Sequence, residues 1–149
     1  MASLEELRAE RLKKLESLKS TGVDVYPSTS RRTHELSDVI RNFSQLEKDG
    51  VQVIVAGRVM SSRGQGALIF IDLYDGTAKL QGVIKLPEGE VAHTFYNNYV
   101  DTGDFIEVTG TLFITKSGQE SVLVTDISML SKALLPLPDK FHGLQDEEL

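Results

Sequence analysis

The stretch Ala67-Leu-Ile-Phe-Ile-Asp-Leu-Tyr-Asp75, followed by Gly76-Thr-Ala-Lys-Leu-Gln-Gly-Val-Ile-Lys85, predicts two β-strands joined by a tight turn. Side chains alternate between the two faces of a strand, so each strand carries two sets of residues. The set predicted to face the core is Ile69, Ile71, Leu73, Ala78, Leu80, Gly82 and Ile84. The opposite, outer set is Leu68, Phe70, Asp72, Lys79, Gln81, Val83 and Lys85. The outer face therefore combines an aromatic ring and an amide with lysines.

The outer face of this strand pair admits two interpretations. An exposed aromatic ring beside an amide and cations is an arrangement with which proteins hold an unstacked nucleic-acid base. On that interpretation Phe70 stacks on the base, and Gln81 lies within reach of the base edge. Alternatively, the sheet is buried on both sides and Phe70 is an ordinary core residue, since short apolar runs do not distinguish the two cases. The strand pair alone leaves both open.

The composition of the chain excludes several classes of protein. Its 149 residues, of which 40% are hydrophobic and 26% charged, are typical of one soluble globular domain with flanking pieces. No apolar run approaches the ~20 residues of a membrane-spanning helix, and the first residues lack the apolar segment of a signal peptide. The absence of cysteine excludes disulfides, thiolate metal sites and cysteine nucleophiles. We therefore expect a cytoplasmic protein with no membrane partner.

The charge of the chain constrains its partners. A formal net charge of -6 argues against a general, sequence-independent nucleic-acid binder, which is usually basic. Between Ala56 and Gly66, however, the charged residues are Arg58 and Arg63, with no acid among them. The distribution therefore permits a local basic face on an acidic body.

The hydrophobic periodicity predicts two helices followed by a set of strands. The first helix begins at a capping box, Ser3 with Glu6, and carries a stripe of leucines at helical spacing. A second helix is predicted from 35 to 48. The first strand covers about 51–60, a polar loop covers 61–66, and a short helix separates the third strand from the fourth.

The order β-β-β-α-β-β, preceded by two helices, predicts a mainly β fold with flanking helices. Five strands in this order match the OB-fold, a partly open Greek-key barrel. Its second and third strands, and the loops joining strands one to two and four to five, form the usual ligand face. That rule places on one surface Phe70, Gln81, Arg58, Arg63 and the loop around Lys116. Fold analogy therefore favours ligand contact for Phe70.

The sequence lacks the patterns of a catalytic site. His34, His93 and His142 are scattered without ligand spacing, so no metal site is predicted. The segment Ser61-Ser-Arg-Gly-Gln-Gly66 contains glycines but lacks the lysine and the strand-to-helix setting of a phosphate-binding loop. The residues by themselves predict a binding module.

Further stretches of the chain carry a specific family resemblance. They are Leu130-Ser-Lys-Ala-Leu-Leu-Pro-Leu-Pro-Asp-Lys-Phe-His-Gly-Leu144, Thr115-Lys-Ser-Gly118 after Gly103-Asp104, and Val55-Ala-Gly-Arg58 ahead of Phe70 and Gln81. Together with the first helix and its exit, Gly22-Val-Asp-Val-Tyr-Pro27, they resemble class II lysine–tRNA ligases over essentially the whole chain. The first of these stretches is similar to the link between the anticodon-binding and catalytic domains of that family.

The resemblance implies roles for particular residues. Phe70 matches the aromatic residue that stacks on the central anticodon base. Gln81 matches the amide that hydrogen-bonds that base, which is a uridine in lysine tRNA. Arg58 and Arg63 match basic positions near the third anticodon base and the RNA backbone.

The turn between strands four and five departs from the family pattern. The family usually has a glutamate directly after Lys-x-Gly, where it helps to read the first anticodon base. Here Gln119 holds that place, and Glu120 follows one residue later. A one-residue shift turns a strand side chain to the opposite face. Either Gln119 takes the role with different hydrogen bonding, or a bulge lets Glu120 reach the base.

The resemblance also implies a larger parent protein. It divides the chain into an N-terminal helix and extended exit (1–27), the OB-fold anticodon-binding domain (28–131) and the start of a linker to a catalytic domain that the chain lacks (132–149). The expected function is recognition of the UUU-type anticodon of lysine tRNA, within a homodimeric ligase that charges this tRNA with lysine. This segment alone is expected to be inactive and to hold no cofactor, since ATP and magnesium belong to the catalytic domain.

Two other functions fit the same residues. A freestanding OB-fold module for single-stranded nucleic acid would bind unrelated oligonucleotides as well as the anticodon loop, although the acidic charge disfavours it. An interaction module would use the leucine-striped helix 3–19 and the outer sheet to dock a protein partner.

Overall fold

A computed structural model describes residues 3–20 and 31–134 of the chain. The elements are α1 (Leu4–Ser20), α2 (Leu36–Arg41), α3 (Phe43–Asp49), β1 (Gln52–Gln65), β2 (Leu68–Tyr74), β3 (Lys79–Lys85), α4 (Glu90–Tyr99), β4 (Phe105–Ile114) and β5 (Glu120–Ser131). The strands form a closed barrel in the order β1-β2-β3-β5-β4. Neighbouring strands are antiparallel except β3 and β5, which are parallel. The predicted OB-fold, a mainly β barrel with flanking helices, is confirmed.

The barrel core is built from the alternate residues that the strand pattern predicted. Ile71 and Leu73 have no exposed surface, and Ile69 retains 6%. The same alternation on the other strands contributes the fully buried residues Val53, Val55, Ile84, Ile106, Val108, Val122 and Val124. Removing these aliphatic side chains from water is the main driving force for closing the barrel.

The single helix predicted from 35 to 48 is interrupted at Asn42, so that segment forms two short helices, α2 and α3. Asn42 has φ -111° and ψ 23°, outside the helical region, and it ends α2 while it begins α3. Its side chain donates a hydrogen bond to the Asp38 carbonyl (3.1 Å), which is how asparagine competes with regular helical pairing. Val39 and Phe43, on either side of the break, are both buried.

The prediction of a loop at 61–66 is wrong, because β1 continues through most of it. The strand passes a bulge between Val59 and Ser61 and ends at Gln65. Ser61, Ser62 and Arg63 are exposed on this part of the strand, where backbone pairing requires no apolar side chains. As a consequence, Arg63 lies directly opposite Phe70 on β2.

Helix α1 docks on the barrel through a buried set of charges that we call the Lys132 cluster. At its centre is the fully buried Lys132, whose Nζ lies 2.7 Å from Asp101 Oδ2 and 2.5 Å from Asp104 Oδ2. From α1, Lys14 binds Asp101 (Nζ–Oδ1 2.9 Å), and the Nε of the buried Arg11 lies 3.9 Å from Asp101 Oδ2. The leucine-striped helix is therefore fastened to the domain by charge pairs as well as by apolar packing.

The two aspartates of the Lys132 cluster titrate differently. Burial raises the pKa of Asp104, and its hydrogen bond from Lys132 offsets only part of this effect. At Asp101 burial acts in the same direction, but hydrogen bonds and charges from Lys132 and Lys14 outweigh it and hold the pKa below its usual value. Lys132 thus contacts two carboxyl groups, Asp101 with a lowered pKa and Asp104 with a raised pKa.

Two predicted segments lie outside the described residues. They are the extended exit at 23–27 and the linker motif from 135 onward, which includes His142. Among the helices of residues 3–20 and 31–134, none has the length and hydrophobicity that crossing a membrane requires.

The turn between β2 and β3 holds the N-terminus of α2. Asp75 Oδ2 accepts a hydrogen bond from the Leu36 N–H (2.9 Å), and Oδ1 accepts from the N–H groups of Thr77 (2.8 Å) and Ala78 (3.2 Å). Burial acts to raise the pKa of Asp75, but hydrogen bonds from the Thr77 side chain and from these N–H groups outweigh it. The pKa of Asp75 therefore lies below 3.8.

We predict that Asp75→Ala lowers the free energy of unfolding by about 1–2 kcal/mol at neutral pH, because it removes a cap and a turn contact together. Since the folded-state pKa lies below the unfolded value of 3.8, this stabilisation is present above 3.8 and is lost as the pH falls through the folded-state pKa. Urea unfolding should show a smaller difference between wild type and variant in strong acid. An equal difference at both pH values would contradict the assignment.

The Lys132 cluster generates a second stability prediction. Lys132→Met leaves Asp101 and Asp104 without their central cation, and breaking a buried pair in this way costs about 3–5 kcal/mol. Combining it with Asp104→Asn removes one of the two carboxylates left without that cation. The double variant should therefore recover part of the lost free energy of unfolding, as measured with urea. A double variant no more stable than Lys132→Met alone would show that the charge of Asp104 is unimportant.

Candidate nucleic-acid interface

The outer face of β1, β2 and β3 presents its side chains in cross-strand rows. Along β2 the rows are Arg58–Tyr74–Lys79, Ser61–Asp72–Gln81 and Arg63–Phe70–Val83. Parallel pairing with β5 then sets Gln81 beside Ser121 and Val83 beside Leu123. Residues from four strands therefore converge around the second and third rows.

A groove of about 760 Å³ opens where these rows meet the turn between β4 and β5. Its lining residues are Arg63, Leu68, Phe70, Gln81, Val83, Lys85, Phe113, Ile114, Thr115, Lys116 and Ser117. The rim is partly apolar, since Leu68 and Ile114 are 38% and 53% exposed. Apolar walls combined with cationic side chains suit a ligand that has flat bases and an anionic backbone.

Phe70 is half-buried on the outer face of β2 and does not belong to the barrel core. The guanidinium carbon of Arg63 lies 5.2 Å from the centroid of its ring, within the range of a cation–π contact. The interpretation of Phe70 as an ordinary core residue is therefore wrong, and its contact with a ligand stays a prediction: the ring faces the groove, and a neighbouring cation covers part of it. A base that stacks on this side of the ring has to share or take the place of the guanidinium.

Gln81 was expected to be exposed, yet only 6% of its surface is accessible. Its Oε1 accepts a hydrogen bond from Arg63 Nη2 (2.8 Å), and its Nε2 donates one to Ser121 Oγ (2.9 Å). The orientation of the amide is unambiguous because a guanidinium can only donate. β5 covers Gln81, and the burial therefore results from a strand 40 residues further along the chain.

Arg63 connects the residues of the groove. Besides Phe70 and Gln81, it approaches Asp72, whose Oδ2 lies 3.8 Å from Arg63 Nη1. The same carboxylate oxygen accepts a hydrogen bond from Ser61 Oγ (2.7 Å). An acid thus stands beside the groove and partly offsets the positive charge of the arginine.

Arg58 lies on the same face but apart from the groove. It is exposed, it pairs with Tyr74 across β1 and β2, and it is not among the groove-lining residues. Tyr74 is four residues from Phe70 along β2, a separation of roughly 13 Å for an extended strand. Of the predicted cations, Arg63 therefore lies in the groove, and Arg58 lies at the far end of the face.

Gln119 and Glu120 stand at the start of β5, and neither lines the groove. Ser121 points toward Gln81, so strand alternation directs Glu120 to the side of the core residue Val122. Gln119 is exposed and precedes the strand, with Nε2 3.5 Å from the Glu120 carbonyl. Which of the two contacts a ligand stays a prediction, and alternation favours Gln119.

Ser121 is a site residue that the sequence analysis missed. It has no exposed surface, and it makes its contact with Gln81 only because the barrel closes between β3 and β5. A serine within a strand carries no distinguishing signal in the sequence. Within residues 3–20 and 31–134, no three His, Asp or Glu side chains are grouped as metal ligands would be.

Comparison with known proteins identifies relatives of the chain. The profile of the OB-fold nucleic acid binding domain family matches residues 53–130. A lysine–tRNA ligase of Roseiflexus sp. (strain RS-1) is 41% identical over 97% of this chain and 30% of its own length. Those of Clostridium perfringens (strain 13 / Type A) and Dehalococcoides mccartyi (strain CBDB1) are 43% and 38% identical, over 100% and 97% of this chain. They are covered over 29% and 30% of their own lengths.

These comparisons confirm the resemblance to lysine–tRNA ligases that the sequence motifs indicated. The chain spans about 30% of the length of the curated relatives it matches.

We predict that Arg63→Ala changes the surroundings of both Phe70 and Gln81, because one guanidinium contacts the ring and the amide. The NMR signals of the Phe70 ring and of the Gln81 side-chain amide should shift, while the free energy of unfolding falls by only about 1 kcal/mol. Arg58→Ala is the matched control, since it removes the same side chain from the far end of the face. Arg58→Ala should leave these signals in place. If Arg63→Ala also left them in place, the central position of Arg63 would be refuted.

Proposed function

The chain belongs to the OB-fold nucleic acid binding domain family, in the form that occurs in lysine–tRNA ligases, and from this premise we propose that it binds the anticodon loop of lysine tRNA. The observation that carries the proposal is the groove on the OB-fold ligand face. It brings an aromatic ring, a fixed amide and a cation together in Phe70, Gln81 and Arg63. Stacking, base-edge recognition and backbone attraction each have a side chain to supply them.

Phe70 is proposed to stack on the central base of a UUU-type anticodon. Stacking on an aromatic side chain contributes roughly 1–3 kcal/mol per base but distinguishes bases poorly. Discrimination therefore has to come from Gln81. Its amide retains one N–H and one lone pair beyond those used by Ser121 and Arg63, and a uridine edge offers a complementary acceptor and donor.

The cations around the groove are proposed to attract the RNA backbone. Arg63 and Lys116 line the groove itself, and Arg58 lies further along the same face, suited to the nucleotide that follows. Contacts with phosphate make binding depend on salt concentration. Gln119, or else Glu120, is proposed to contact the first anticodon base from the rim of the groove.

The remainder of the parent protein is proposed to perform the chemistry. There the ligase would charge lysine tRNA with lysine, using ATP and magnesium, as a cytoplasmic homodimer. In this arrangement residues 28–131 form the anticodon-binding domain, 1–27 lead into it and 132–149 begin the linker to the catalytic domain. The described residues are proposed to need no cofactor of their own.

We predict that Phe70→Ala weakens binding of a lysine-tRNA anticodon stem-loop by about 5- to 150-fold, corresponding to one lost stacking contact. Tyr74→Ala is the matched control, because it removes an aromatic ring from the same face of β2 but outside the groove. Fluorescence anisotropy measures affinity, and circular dichroism shows whether the fold survives. Wild-type affinity in Phe70→Ala would exclude the stacking role.

A competition titration separates anticodon recognition from general binding of single strands. Unlabelled hairpins with UUU loops should displace a labelled lysine-tRNA stem-loop at far lower concentration than hairpins with unrelated loops. Equal displacement by both would favour a freestanding single-strand binder and overturn the assignment to lysine tRNA.

A further inference from the structure

A directed series of hydrogen bonds leads from the groove into β5. Arg63 donates to Gln81 Oε1 (2.8 Å), Gln81 Nε2 donates to Ser121 Oγ (2.9 Å), and the Ser121 hydroxyl donates to the Gln119 carbonyl (3.2 Å). Every hydrogen bond in this series therefore runs in the same direction, from Arg63 toward Gln119. Successive hydrogen bonds of this kind polarise and strengthen one another.

The direction of this hydrogen-bond series is set by the groups at its two ends. The Arg63 guanidinium has no acceptor, and the Gln119 carbonyl has no donor. If the Gln81 amide were reversed, its NH₂ would face the guanidinium, and Ser121 would have to turn its proton away from Gln119. Both inner members are shielded from water, since Gln81 is 6% exposed and Ser121 has no exposed surface. Water therefore cannot easily replace the contacts that a reversal would break.

A fixed amide matters because a free one does not distinguish the two pyrimidines. Uridine presents an acceptor at position 4 and a donor at position 3, and cytidine presents the reverse pattern at the same positions. An amide that can rotate by half a turn pairs with either pattern. An amide held in one orientation pairs with one of them and meets the other with donor against donor and acceptor against acceptor.

We propose that Ser121 is a specificity-determining positioning residue, which holds the Gln81 amide in the orientation that accepts uridine and rejects cytidine at the central position of the loop. This inference rests on the proposed binding of the anticodon loop. Of the two anchors, Ser121 is the immobile one. It is fully buried within β5, while the side chain of Arg63 is 59% exposed and lies over the ring on which a base would stack.

The test compares two RNA hairpins that differ only in the central anticodon base, U or C. Their dissociation constants are measured by fluorescence anisotropy for wild type, Ser121→Ala, Ser121→Thr and Ser128→Ala. Ser121→Thr keeps the hydroxyl, and Ser128→Ala removes a serine seven positions further along β5 as a matched control. Wild type should prefer the U hairpin by about tenfold or more, the usual worth of a correctly paired base edge.

The expected result is a change in the ratio of the two affinities. Ser121→Ala should reduce the preference for U by about fivefold or more, partly through tighter binding of the C hairpin, as the amide becomes free to turn. Ser121→Thr and Ser128→Ala should keep the wild-type ratio. Equal weakening of both hairpins by Ser121→Ala would mean a merely structural serine and would overturn the proposal.

A second readout does not depend on RNA. The hydrogen-bonded Nε2 proton of Gln81 should exchange slowly with solvent in wild type and at least about tenfold faster in Ser121→Ala, since its buried acceptor is gone. Unchanged exchange would refute the positioning role even if the hairpins failed to bind. Failure of wild type to prefer either hairpin over an unrelated one would instead refute the proposed function.

Discussion

The parallel pairing of β3 with β5 closes the barrel, and the candidate site exists only because of that closure. The two strands pair from Gln81–Ser121 to Val83–Leu123. Glycines permit close packing next to this pair: a Cβ on Gly82 of β3 would lie 2.9 Å from Ile71 Cγ1 on β2, and one on Gly110 of β4 would overlap the Leu123 carbonyl of β5. In a close-packed interior neither contact could be relieved without moving a strand. The pairing of β3 with β5 itself brings Ser121 against the Gln81 amide that faces the groove.

The positive charge of the candidate site is small for a nucleic-acid interface. The whole chain carries a net charge of -6, and the central cation Arg63 is partly offset by Asp72. Attraction to phosphate alone is independent of sequence, so a strongly basic face would bind many RNAs. With a modest positive charge, the discrimination that the proposed function requires has to come chiefly from the oriented amide of Gln81. On the proposed function, this small charge limits the binding of unrelated RNAs.

Features that depend on local strand geometry could be predicted from the sequence, and features that depend on contacts between distant segments could not. The common face of Phe70 and Gln81 could be predicted because side-chain alternation depends only on local strand geometry. The burial of Gln81 and the contact with Ser121 could not, since both result from a strand brought in by barrel closure. The predicted loop at 61–66 failed because a polar segment resembles a loop even where it is paired as a strand. The helix break at Asn42 depends on a side-chain hydrogen bond that hydrophobic periodicity does not register.

The Lys132 cluster has a consequence for the synthesis of the protein. Helix α1 precedes the barrel along the chain and leaves the ribosome before it, while most of the stability of a helix in a protein comes from packing against other elements. The groups that hold it are Asp101, which binds Lys14, and the carbonyls of Thr102 and Ala133, which accept hydrogen bonds from Arg11 (3.1 and 3.4 Å). All of these groups follow the first three strands along the chain, and Ala133 follows the end of β5. The helix therefore leaves the ribosome before its partners, and its docking is complete only when the end of β5 has emerged.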